Sequence, residues 1–149
     1  MKKLFMVTAI IEITTGIALL AVPALLASIL LGGDLSTSAG LVVARLAGAA
    51  LLSLGVACWF GSRDARSRAA VGIVAAMLLY NLAAVAVLVY ASVGLGLSGI
   101  GLWPAAVLHL ALAVWCIACH RTRRMNQSTT ERTQLWKPHA HETSSARRS

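Results

Sequence analysis

Charge is scarce in this chain: only 12% of its 149 residues are Asp, Glu, Lys or Arg, and just five of them are acidic. A soluble domain carries roughly twice that charged share, so a water-facing surface of ordinary composition is excluded. Alternating period-two runs of about ten residues are missing too, which excludes a membrane β-barrel. Cysteine and proline number three each, and neither the loop around Asp34 nor the glycine-rich run from Gly94 to Gly101 contains a thiol. What the chain has instead is 58% hydrophobic residues.

These residues are gathered into four blocks, Leu4 to Leu31, Ala39 to Phe60, Ala69 to Val93 and Leu102 to Cys119. A bilayer core of about 30 Å asks for about 20 apolar residues per helix. Gly32-Gly33-Asp34 with Ser36-Thr37-Ser38, then Gly61-Ser62-Arg63-Asp64, then the glycine-rich run from Gly94 to Gly101 separate the blocks. The expectation is an all-α integral membrane four-helix bundle over residues 1–120, with helices about 4–31, 39–60, 69–93 and 102–119.

The basic residues set an orientation. Lys2 and Lys3 precede the first block, Arg63, Arg66 and Arg68 lie between the second and third, and every other basic residue except Arg45 follows the fourth. The opposite side carries only Asp34. By the positive-inside rule the N-terminus, the middle loop and the C-terminus are cytoplasmic. The net charge of +8 then follows from topology, and no nucleic-acid partner is expected because no binding module accompanies it. Lys2-Lys3 before an apolar stretch resembles a signal peptide, but the stretch is long, Glu12 interrupts it and no small-x-small cleavage site follows, so the first helix is read as retained.

Residues 121–149 change abruptly to Arg, Thr, Ser, Gln and His and read as a disordered basic cytoplasmic tail. Arg121, Arg123 and Arg124 are placed to meet anionic lipid headgroups, at about 1 kcal/mol each. His120, His139 and His141 are read as too loosely held for a metal, and no metal site is expected.

Each block carries one strongly polar residue: Glu12, Arg45, Asn81 and His109. At 1.5 Å per residue from the cytoplasmic ends they lie roughly 12, 22, 18 and 15 Å deep, all near mid-membrane. Ionisable residues at the centre cost about 2.5–3.5 kcal/mol to insert and so usually face an interior or a cavity. The expected arrangement is a buried polar cluster, with Arg45 paired to Glu12 while Asn81 and His109 satisfy the remaining groups. Gly40, Ala44, Gly48 and Gly55 form a stripe of small residues on the second helix, and Gly16 lies one turn after Glu12, so close helix packing is expected there. Ala105, His109 and Ala113 share a face of the fourth.

Cys116-Ile117-Ala118-Cys119-His120 matches the CxxCH pattern of c-type haem attachment. That haem is attached outside the cytoplasmic membrane, whereas these residues lie at the cytoplasmic end, so haem is disfavoured. A thiol pair of Cys116 and Cys119, with Cys58 third, is the redox alternative; buried cysteine acting as a small hydrophobe is the plainer one. Trp103-Pro104 and Tyr90 mark the outer interface, and Pro23 is expected to kink the first helix above Glu12.

Arg45-Leu46-Ala47-Gly48-Ala49, Leu79-Tyr80-Asn81 and Gly101-Leu102-Trp103-Pro104 with His109 make residues 1–120 similar to small uncharacterised bacterial membrane proteins loosely grouped as DoxX-like. The resemblance implies a four-helix protein of the bacterial cytoplasmic membrane; DoxX proteins proper are linked to quinone-dependent sulfur oxidation, but no sulfur-handling motif maps onto this chain. A likeness to small multidrug exporters fails because Arg45 would repel cationic drugs. The functional expectation is a non-enzymatic structural or accessory subunit, working with a membrane-protein partner or as a homo-oligomer. A proton-coupled carrier using Glu12 and His109, or a quinone-linked redox partner subunit, are the alternatives.

Overall fold

The computed structural model describes residues 1–35, 37–65 and 67–136, with side chains up to Thr122 and at Met125. Arg66, the tail histidines His139 and His141, and the side chains of Arg123 and Arg124 lie outside the described residues. The described residues form five helices and no strand: α1 (Lys2–Ala21), α2 (Pro23–Leu31), α3 (Ser38–Gly61), α4 (Arg68–Val93) and α5 (Leu102–Trp136). Four stretches, Lys2–Ala21, Ser38–Gly61, Arg68–Val93 and Leu102–Thr122, are long and apolar enough to cross a membrane. Large apolar side chains such as Leu46, Leu79, Val93 and Val107 are exposed along them, as lipid-facing residues are. Residues Met1–Ile117 make one compact unit.

Local chemistry explains the helix ends. Thr37 caps α3 by accepting from the Gly40 amide at 3.1 Å, and Ser67 caps α4 by accepting from Ala70 at 3.1 Å. The first apolar block is broken rather than kinked. Pro23 has no N–H and fits only the first turn of a helix, so α1 closes with the Val22 amide on the Ala18 carbonyl (2.8 Å) and α2 starts afresh behind it. Val22 itself leaves helical geometry, at φ −133° and ψ 58°.

α1 and α3 run antiparallel in backbone contact. A Cβ on Gly16 would stand 2.8 Å from the Gly48 carbonyl oxygen, one on Gly48 2.9 Å from that of Gly16, and one on Gly55 3.0 Å from the Ile13 amide nitrogen. Such proximity lets dispersion act over the whole crossing where no hydrophobic drive exists between helices in lipid. Gly40 does not take part: its neighbours are the capping Thr37 and Leu35. At the other side of the break, α2 ends on Gly32 in the left-handed region (φ 71°), and the α4–α5 connection lies against it, with the Gly101 amide donating to the Ile29 carbonyl at 2.9 Å. Leu88, Ala91, Leu102 and Ala106 bury themselves there against Leu30 and Leu31.

α5 runs into the segment expected to be a disordered tail, of which residues 137–149 lie outside the described residues. The helix does not stop at Cys119 but continues to Trp136. Nothing between His120 and Trp136 breaks a helix, since Pro138 is the first proline or glycine after Pro104. Loss of apolar periodicity removes the reason for burial, not the ability to wind.

Candidate functional site

One face of α1 is buried along Phe5, Thr8, Ala9, Glu12 and Gly16, the three-and-four spacing of a helix stripe. Glu12 therefore enters the interior because Ala9 and Gly16, which flank it by one turn, are the residues α3 approaches. It is 1% exposed, and Thr8, one turn earlier, is fully buried. Neither the Thr8 hydroxyl nor Glu12 Oε1 has a hydrogen-bond partner. An unsatisfied buried polar group costs about 1–3 kcal/mol, so two of them side by side are a departure from ordinary core construction.

Across from α1, α4 and α5 are joined by polar bonds. Asn81, fully buried, donates from Nδ2 to the Met77 carbonyl at 2.7 Å, which leaves Oδ1 as its acceptor. That oxygen lies 2.8 Å from His109 Nδ1. The imidazole must donate in this bond, so its proton sits on Nδ1 and a neutral ring presents Nε2 as an acceptor. Tyr80 holds the ring edge-on, with centroids 5.5 Å apart at 81°. Half a turn of α4 thus fixes both the tautomer and the orientation of His109.

A sulfur group extends the site. Cys58 of α3 donates through its thiol to Met77 Sδ at 3.4 Å, and both residues are fully buried. Cys116 of α5 is also fully buried. None of Cys58, Cys116 and Cys119 is in a disulfide, and Cys119 is half-buried.

Arg45 stands apart from these groups. It is exposed on α3 and donates from Nε to the Leu20 carbonyl at 3.4 Å. The antiparallel register that sets Gly16 opposite Gly48 sets Arg45 opposite Leu19 and Leu20, about 10 Å along α1 from Glu12 at 1.5 Å per residue. At that level the break at Pro23 has left carbonyls without helical donors, and α1 has no basic residue in its last turn. Arg45 supplies both the donor and the cation that a helix C-terminus favours. Replacing Arg45 with methionine is expected to cost about 1 kcal/mol of thermal stability in detergent, the worth of one such bond. A loss of about 3–5 kcal/mol, the mark of a broken buried ion pair, would show instead that the guanidinium is paired to a carboxylate.

Of the four polar residues singled out by depth, the structure bonds Asn81 to His109, buries Glu12 with Oε1 unpartnered, and sends Arg45 to the helix break. Sequence reasoning missed Thr8, Met77 and Tyr80. Thr8 and Met77 each lie one turn before a polar residue already singled out, at i−4 from Glu12 and Asn81, and that spacing was the available signal. Compared with family models, curated proteins and solved structures, the chain gives no significant match.

Proposed function

We propose that this chain is a four-helix protein of the bacterial cytoplasmic membrane, with both ends and the loop around Arg63 and Arg68 on the cytoplasmic side, and that it is a small proton-coupled carrier in which Glu12 takes up and releases the proton. The observation that carries this reading is the buried Glu12 carboxyl with Oε1 unpartnered. A carboxyl kept only for packing would be expected to have its hydrogen bonds satisfied, whereas a carboxyl that exchanges a proton or a ligand must have an open coordination position. Arg45, the basic residue whose permanent charge would have tied Glu12 down, is engaged at Leu20. The buried Thr8 hydroxyl, one turn before Glu12 on α1, and the acceptor Nε2 of His109 on α5 are the groups suited to relay a proton.

A second reading, a structural or accessory subunit whose polar residues set helix register, is favoured by the Asn81–His109 bond, in which both Asn81 groups are satisfied. Infrared spectra of the purified protein separate the two. The carrier reading expects a carboxylic-acid C=O band that vanishes and returns as pH is cycled, and that is missing in Glu12→Gln. If wild type and Glu12→Gln give identical infrared titrations and differ only in melting temperature, the structural reading stands and the carrier reading fails.

A further inference from the structure

We propose that Cys58 and Met77 form a binding site for a soft monovalent metal ion, Cu(I) or Ag(I). Two buried sulfur atoms from two different helices meet here, Cys58 Sγ of α3 and Met77 Sδ of α4, 3.4 Å apart. Two sulfur atoms that each stand about 2.3 Å from one ion, an ordinary metal–thiolate length, are compatible with that separation. Thiolate and thioether together select Cu(I) over the borderline divalent ions.

Charge points the same way. A thiolate and a monovalent cation cancel, so the occupied site is neutral in a region where net charge is costly. A divalent ion would need further anionic ligands, and among the described residues no three His, Cys, Asp or Glu side chains are arranged to hold a metal. Binding breaks the Cys58 S–H bond as the S–metal bond forms, with no change in oxidation state, and the released proton must leave through a buried region. That proton is given up to the solvent as binding completes, so the affinity falls as pH falls. This site is independent of the carrier reading, because binding is measured without transport.

The test uses the full-length protein in detergent under anaerobic conditions, with Cu(I) supplied as its complex with the coloured chelator bicinchoninate. Wild type is expected to withdraw Cu(I) from the chelator, and X-ray absorption of the bound copper to show sulfur ligands. Cys58→Ser and the volume-conserving Met77→Leu are each expected to weaken binding about tenfold or more, a ligand being at least as costly to lose as an outer-sphere partner. Cys119→Ser should bind as wild type does. Met77→Leu keeps the test valid should Cys58→Ser misfold. Failure of wild type to compete, undiminished affinity in Met77→Leu, or a nitrogen-dominated copper spectrum that places the ion on histidines elsewhere would each overturn the proposal.

Discussion

Gly48→Leu is expected to leave little or no folded protein, seen as loss of the monodisperse peak on size exclusion and of a cooperative melt. Even a methyl group at this position would stand 2.9 Å from the Gly16 carbonyl oxygen and 3.1 Å from the Leu20 amide nitrogen. Those atoms belong to helix backbone, so no side-chain rotation relieves the clash, and α1 and α3 must separate. Overpacking a well-fitted interior typically costs about 1–3 kcal/mol and more where backbone must move, so Gly48→Ala should already lower the melting temperature and the leucine variant exceed that range. Gly72 is the matched control. It also lies within a helix, but a Cβ there meets nothing within 4 Å, and Gly72→Ala is expected to be neutral or stabilising by up to about 1 kcal/mol through helix propensity. Equal stability of Gly48→Ala and Gly72→Ala would show that α1 and α3 are not in backbone contact.

Gly99→Val is expected to be as damaging at the opposite end of the helices. A Cβ at Gly99 would overlap the Leu30 carbonyl and stand 2.6 Å from the Gly32 amide nitrogen. Gly32 cannot move aside cheaply, because its left-handed φ of 71° is what turns the chain out of α2. Displacing the connection would also break the bond from the Gly101 amide to Ile29 and open the contact of Leu102 and Ala106 with Leu30 and Leu31. The expected loss is about 3 kcal/mol or more in chemical or thermal unfolding. Gly33→Ala, where a Cβ reaches only a Leu97 methyl at 4.0 Å, should be tolerated. A Gly99→Val protein as stable as Gly33→Ala would remove this packing from the account.

Much of the site was legible by depth and little of it by direction. Counting 1.5 Å per residue put Asn81 and His109 at nearly one level, and the structure bonds them at 2.8 Å. The same count left a gap of about 10 Å between Glu12 and Arg45, and the expected pairing asked helix tilt to close it. The Gly16–Gly48 contact holds the two helices at a register in which the gap stays open. Small residues were similarly legible as a stripe but not as contacts: Gly48 and Gly55 meet α1, while Gly40 belongs to the cap of α3. Composition likewise marked where apolar character ends after Cys119, yet α5 winds on to Trp136, because helix formation asks only that nothing break the backbone pattern.

Composition and residue order by themselves determined that this protein is all helical over its described residues and has four stretches able to cross a membrane, since hydropathy and the needs of backbone polar groups in lipid are properties of single segments. Pro23 likewise marked where the first stretch departs from a straight helix, because a missing N–H is a local fact, although a kink was expected there and the structure shows a break. Tertiary structure alone decided that Arg45 caps the interrupted helix, that Glu12 Oε1 is left without a partner, and that Cys58 meets Met77. Those outcomes depend on which faces of separate helices meet and at what register, and register is set by contacts between glycines far apart in the chain rather than by any one segment.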